Sequence, residues 1–440
     1  MIIHVVQEGD TTQSIAEQYR VLQERLLLEN EISDPDKLVV GETLVILYPK
    51  ITYTVQEGDT LGSIADKHDV TVMQLLRNNA YLSNRQYIYQ GETLVISYAD
   101  AKKATISVNG YVYPFVDQAT LKKILPYLTY LTIFSYRVSE QGEIYNIDDE
   151  ELIQMANAFG AAPIMMVVAG ESQTEESNVT HTILMNPVSQ EQFIDNLLII
   201  LKSKGYYGVN ISTPYIYPED RSRYVEFMRK FSSRISKEGI KVFNSFSLNA
   251  FEILTDVIYE ELEYDKIGQM VDYTMLISYE WGYLPGLPTG IISNDTVRQF
   301  IIYMTQKIPP EKLMIGISTI GHLWGLPYEA GISKGMAINY SAAVELAYDN
   351  NVEIQYDYYT NSAYFQYISI DEYIARFCDA RSMDAWVNYV LEFELNGCGI
   401  WNTMNFFPQL WRTLPHSFPY RTSLSGFLQS LQEPEQLLHK

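Results

Sequence analysis

The feature that most constrains this chain is a repeat. "HVVQEGDTTQSIAEQY" (residues 4–19) returns as "YTVQEGDTLGSIADKH" (53–68) at an offset of 49, and "GETLVI" at 41–46 returns at 91–96 at an offset of 50. Self-similarity on this scale means one small supersecondary unit used twice. Each copy reads as a strand, a Gly-Asp-Thr turn, a helix from about Ser14 or Ser63, a second helix (21–29 or 72–79), and a closing strand entered through a Gly-Glu-Thr turn. Asp10-Thr11 and Asp59-Thr60 place capping-type side chains where the backbone turns into the first helix, whose leading N–H groups need acceptors. The pattern predicts two βααβ modules, over 1–49 and 50–100.

From about residue 101 the rhythm changes to short apolar runs alternating with amphipathic helical stretches, the mark of a parallel α/β sheet. Strands are expected at 105–110, 129–135, 163–169, 206–212, 241–247, 272–279, 313–319 and 397–401, with helices such as 191–203 and 221–237 between them. Eight β/α units over 101–440 predict a (β/α)8 TIM barrel, whose active face is the C-terminal end of its strands. The gap from about 330 to 373 is too long for one connection, and its Tyr-rich "VEIQYDYYTNSAYFQYISI" reads as a small α+β insertion forming one wall of the cleft.

Composition narrows the partners. Formal charge is −23, and so acidic a surface repels phosphate backbones and anionic lipid, which disfavours nucleic acid and membrane as partners. Two cysteines, Cys378 and Cys398, form neither a disulfide framework nor a metal spacing, and six scattered histidines add no metal signature. Nothing asks for a cofactor: there is no phosphate loop, no zinc motif and no Gly-x-Ser-x-Gly. "MIIHVVQEGD" lacks a basic region and an apolar core, so synthesis in the cytosol without a signal peptide is expected, and no apolar run approaches the ~18 residues that span a bilayer.

The repeats resemble the LysM family. The signature V-x-x-G-D-T-x-x-x-I-A is met by Val6, Gly9, Asp10, Thr11, Ile15 and Ala16, and again by Val55, Gly58, Asp59, Thr60, Ile64 and Ala65. The resemblance implies binding to the N-acetylglucosamine chains of peptidoglycan or chitin. The groove would lie between the Gly-Asp-Thr loop (9–12, 58–61) and the loop after the second helix (about 30–36, 79–85). A tandem pair suits avidity on a repeating polymer.

The remainder resembles the family-18 glycoside hydrolases, in particular LysM-bearing cortex-lytic N-acetylglucosaminidases and coat proteins of bacterial spores. The likeness is carried by "YIYPEDR" (215–221), "GQMVDYTMLISYEWG" (268–282), "DARS" (379–382), Trp401 and "FFPQLW" (406–411). That family's fourth strand carries Asp-x-x-Asp-x-Asp-x-Glu. Alternate strand residues face the barrel interior, so the last three acids point one way. The final Glu is the general acid, and the middle Asp turns the substrate's acetamido group into the nucleophile. In this chain the four positions are Tyr207, Asn210, Ser212 and Pro214, and none is acidic.

A relocated acid would have to come from elsewhere. Glu280 follows Tyr279 where the family has Tyr-Asp, and Asp220 and Glu219 lie in the loop after strand four, with Glu171 in the loop after strand three. The aromatic residues are better kept: the resemblance makes Trp401 the floor under the sugar ring, with Tyr279, Trp281 and Tyr136 lining the same cleft and Asn210 and Glu280 able to hydrogen-bond a sugar. Three readings follow. The first and favoured one is a non-catalytic, glycan-binding barrel of the spore coat or cortex. The second is an active N-acetylglucosaminidase using Glu280 or Asp220. The third is a structural scaffold that contacts spore-coat proteins.

Overall fold

A computed structural model of the chain describes residues 1–85, 87–99, 105–168, 179–212, 216, 218–247, 262–277, 293–329, 333 and 335–414. Both repeats are βααβ units. The first runs through strand Ile2–Val5, helices Thr12–Tyr19 and Gln23–Asn30, and strand Thr43–Ile46; the second through Pro49–Thr54, Leu61–Lys67, Val72–Asn78 and Thr93–Tyr98. The two strands of each pair antiparallel. Gly9 and Gly58 hold φ near +84° and +85°, a region that side chains with a Cβ avoid. Asp10 and Asp59 close this turn by accepting from the Gln7 and Gln56 N–H groups at 2.8 and 2.7 Å. Thr11 and Thr60 are the N-caps, each in a capping box with Ser14 or Ser63.

Asn30 and Asn79 play a part that the motif does not announce. Each amide donates to a closing-strand carbonyl (Val45 at 2.9 Å, Val95 at 2.8 Å) and accepts from the same residue's N–H. These bonds fasten the second helix to the sheet.

Eight parallel strands follow: β1 (Ser107–Val112), β2 (Tyr130–Val138), β3 (Ala162–Val168), β4 (Gly208–Ser212), β5 (Lys241–Ser247), β6 (Tyr273–Ile277), β7 (Leu313–Ser318) and β8 (Gly397–Trp401). They pair in sequence order, and β1 bonds to both β2 and β8, closing the barrel. Period-two alternation sorts the side chains. In β4, Val209 and Ile211 join the outer core beneath the helices, while Asn210 and Ser212 point inward. The lumen is packed rather than open, with Tyr130, Tyr207, Phe243 and Tyr273 filling its N-terminal end and Met166, Met275 and Met314 lying in the same interior cluster.

The insertion after β7 is a five-stranded antiparallel sheet, in the spatial order Met336–Ile338, Gly321–Leu326, Glu372–Phe377, Ser362–Ile368, Gln355–Asp357, with helix Tyr340–Asp349. It starts at Gly321 and ends at Phe377, wider than the 330–373 read from sequence. "GHLWGL" follows β7 so closely that its pairing with 372–377, a tertiary contact, cannot be seen in the local pattern.

The repeats are locked to the barrel. Arg412, from helix Pro408–Thr413, is 3% exposed. It donates to the Arg77 carbonyl of the second repeat (2.8 Å), the Glu29 carbonyl of the first (3.5 Å) and the Tyr127 hydroxyl of the barrel (3.4 Å). Glu29 in turn accepts from Arg25 (2.6 Å) and from Tyr98 of the second repeat (2.9 Å). Farther along, Ile354 N–H donates to the Val40 carbonyl at 2.9 Å, and Tyr340 hydroxyl to the Thr43 carbonyl at 3.3 Å. Among the described residues no helix is long and apolar enough to cross a membrane.

Candidate functional site

Among the described residues, the lumen beneath the cleft is polar without charge. The eight barrel strands contain no Asp or Glu at all. Asn210 is fully buried; its Nδ2 donates to the Tyr111 hydroxyl (3.3 Å) and its Oδ1 accepts from Ser245 (3.2 Å). Thr132 donates to Asn109 Oδ1 at 2.8 Å in the same interior. Burial pushes the Tyr111 phenol well above its ordinary range, so it stays neutral. Asn210, expected to meet a sugar, is packed as a brace between Tyr111 and Ser245. Ser212, the last residue of β4, lies level with Val168 on β3 and Ser245 on β5, almost covered. Tyr207 sits at the opposite end of the lumen, stacked on Tyr130 with ring centroids 6.2 Å apart. Pro214 lies outside the described residues.

Above this layer is an aromatic cage. Trp401, at the C-terminal end of β8, meets Phe134 edge-on (5.0 Å), Tyr111 (5.8 Å) and Tyr113 (6.0 Å). Phe115 stacks on Tyr113 at 5.3 Å and is 78% exposed. Trp401 is half-buried at the mouth, with a path of aromatic faces leading outward over Tyr113 to Phe115. Phe134, Tyr113 and Phe115 escaped the sequence reading. "GYVYPF" (110–115), three aromatics at the end of the first strand, could have pointed to Tyr113 and Phe115; Phe134 had no such local signal.

Tyr136 was expected in this cleft and is not there. The β2 register shifts between Ile133 and Tyr136, which leaves Phe134 on the inner side and turns Tyr136 outward. Tyr136 is fully buried and donates to Asp149, which also accepts from Tyr206 and pairs with Lys204 at 2.5 Å.

Among the carboxylates, Asp220 is 1% exposed with both oxygens engaged, Oδ2 by His181 Nδ1 at 2.5 Å and Oδ1 by Arg223 at 3.1 Å. It ties the start of helix Arg221–Ser236 to helix Val179–Met185 and is not presented as an acid. Glu219 is exposed, and its carbonyl accepts from Arg223. Glu171, Tyr279, Glu280 and Trp281 lie outside the described residues. Beside the β8 loop a cavity of about 240 Å³ is lined by Thr319, Asn339, Tyr340, Asn402, Asn405 and Phe406, among others. Amides, hydroxyls and aromatic faces are the groups that hold an uncharged sugar. Among the described residues no group of three or more His, Cys, Asp or Glu is placed to hold a metal.

In the repeats, the side chains of the Gly-Asp-Thr turns are committed to the turn itself. The Gln56 N–H and the Tyr53 hydroxyl hold the Asp59 carboxyl below the usual range, and Asp10 is bonded by Gln7 and His4. Any ligand at Gly9, Asp10 and Thr11 or at Gly58, Asp59 and Thr60 would meet turn backbone and its neighbours more than these oxygens.

Comparison with known proteins agrees with this architecture. The model of the glycosyl hydrolases family 18 matches residues 94–405, and the LysM domain model matches residues 4–47 and 53–97. The cortical fragment-lytic enzyme of Bacillus subtilis (strain 168) is 30% identical over 426 residues, spanning 95% of this chain and 98% of its own. The crystal structure of the spore cortex-lytic enzyme SleL from Bacillus megaterium QM B1551 superposes with a TM-score of 0.79 at 26% identity, over 96% of this chain and 99% of that one. SleL from Bacillus cereus gives 0.78 at 26% identity, over 96% and 98%.

Proposed function

Because this chain belongs to glycosyl hydrolase family 18 and carries two LysM domains, we propose that it is a glycan-binding protein of the bacterial spore, holding an N-acetylglucosamine polymer without cutting it. Peptidoglycan is the first candidate ligand, and chitin-type oligosaccharides share its chemistry. The observation that carries the reading is the absence of Asp and Glu from all eight barrel strands, against a cage of Trp401, Phe134, Tyr113 and Phe115 at the mouth. The family's reaction needs a proton donor at the leaving oxygen and a carboxylate that orients the acetamide; such groups are worth ~10²–10⁴-fold each. Amide and hydroxyl at Asn210 and Ser212 and a proline at 214 supply neither. Stacking of a sugar face on aromatic rings requires no carboxylate. The location, in the outer layers of a spore, rests on the relatives being spore cortex-lytic enzymes.

The same relatives favour a second reading, hydrolysis; Glu280, next to Tyr279, would then be the candidate for a relocated acid. Incubation with cortex muropeptides and with chitooligosaccharides, following reducing ends and binding heat together, separates the two. Binding heat without new reducing ends is the expected result. Turnover that Glu280→Gln abolishes would establish the hydrolase. Neither heat nor turnover would leave a scaffold for coat proteins.

A further inference from the structure

The two LysM domains share a fold, yet their surroundings differ. In each, the segment before the closing strand lies against the strand that enters the Gly-Asp-Thr turn: Val6 exchanges backbone bonds with Gly41 and Glu42, and Val55 with Gly91 and Glu92. This segment therefore flanks the turn where the repeat meets a ligand.

In the first repeat the barrel covers it. Val39 belongs to the barrel's outer core, Ile354 bonds to the Val40 carbonyl, and a Cβ on Gly41 would stand 1.8 Å from the Ile354 carbonyl oxygen. The part left open carries Asp34 and Asp36, while Glu31 pairs with Lys123 of the barrel at 2.7 Å. In the second repeat a Cβ on Gly91 would meet nothing within 4 Å. Counting back from that glycine, Tyr89 replaces Val39, Tyr87 replaces Lys37 and Arg85 replaces Pro35. Tyr87 and Tyr89 are 65% and 61% exposed. Arg85 lies over the rings of Tyr81 and Tyr89 and is anchored by Glu92 at 2.5 Å. One repeat thus offers carboxylates beside a docked face, the other exposed phenol rings and a guanidinium with no acid between residues 81 and 90.

We infer that the pair is divided in role: the first repeat is an adaptor that fixes the pair to the barrel, and the second binds the glycan. Tyr87 and Tyr89 are its stacking surface for an N-acetylated pyranose chain. Peptide carboxylates on that chain are repelled by the first repeat's acidic stretch and tolerated beside Arg85. The inference rests on the glycan-binding reading above.

The full chain carrying Trp401→Ala, which silences the barrel cleft, is the background for the test, with purified peptidoglycan sacculi and chitohexaose as probes. Adding Tyr87→Ala and Tyr89→Ala is expected to weaken binding at least tenfold with the melting temperature unchanged. Adding Asp34→Ala and Asp36→Ala instead is expected to leave binding within twofold. Retention of binding by the tyrosine pair, or an equal loss from the aspartate pair, overturns the division of roles while leaving glycan binding intact. A wild-type chain that binds neither probe overturns both.

Discussion

Asn210 and Tyr111 face one another across the barrel lumen, the amide Nδ2 3.3 Å from the phenol oxygen, both buried and both neutral. This pair is what the lumen has in place of charge. Asn210→Asp would put a carboxyl into that setting with hydroxyl neighbours and no cation. Its pKa would rise, so the folded state binds a proton that the unfolded state has released. The added instability is absent below about pH 4 and grows as pH rises through the shifted pKa, reaching on the order of 3 kcal/mol near neutrality. Urea unfolding of Asn210→Asp and wild type between pH 4 and 8 measures the widening gap.

Restoring acids where the chemistry needs them is the complementary test. Ser212→Asp with Pro214→Glu is expected to produce reducing ends from chitooligosaccharides that wild type does not produce. That gain would mean the aromatic cage still positions a sugar over β4.

Phe115 is 78% exposed and stacks on Tyr113, so its loss is expected to touch binding and not folding. Phe115→Ala should weaken glycan binding by roughly three- to tenfold at an unchanged melting temperature. Trp401→Ala, at the centre of the cage, should cost about 2 kcal/mol, roughly thirtyfold. Isothermal titration with chitooligosaccharides reads both.

Arg412 connects three units, so its removal tests whether they form one body. Arg412→Met leaves the Glu29 and Arg77 carbonyls and the Tyr127 hydroxyl short of a buried donor and is expected to cost about 3 kcal/mol. Calorimetry should show a single transition in wild type separating into two, and small-angle scattering a larger radius.

Glu42 makes the docking of the first repeat pH-dependent. It is 7% exposed at the face against Tyr340, and burial pushes its carboxyl up to about 7, with one bond from the Val39 N–H opposing. The folded pKa is above the unfolded one, so this contribution to stability is fully present below about pH 4.5 and is lost as pH rises through 7. The loss is on the order of 3 kcal/mol. Glu42→Gln should flatten the stability profile over that window, measured by urea midpoints.

Much of this was legible in residues close along the chain. The repeat, its glycine turns and threonine caps are set by local backbone geometry, and the eight strands appear at the positions their apolar period predicts. The lack of a carboxylate at Asn210 and Ser212 was also plain, because period-two alternation alone says which residues of β4 face inward. Tyr136 shows the limit of that rule: one register shift in β2 sends it to the outside and leaves Phe134 in the cleft.

By itself, then, the sequence determined two LysM units, a family-18 barrel and a fourth strand without acid. Only the tertiary structure decided that Asn210 is a buried brace, that Asp220 is taken by His181 and Arg223, and that the two repeats of one motif have unlike surroundings. The physical reason is range. Turns, caps and alternation depend on neighbours a few residues away, whereas burial, pairing of charges and exposure of a surface depend on which distant segment lands there. Ile354 on Gly41, with nothing on Gly91, is that difference in its simplest form.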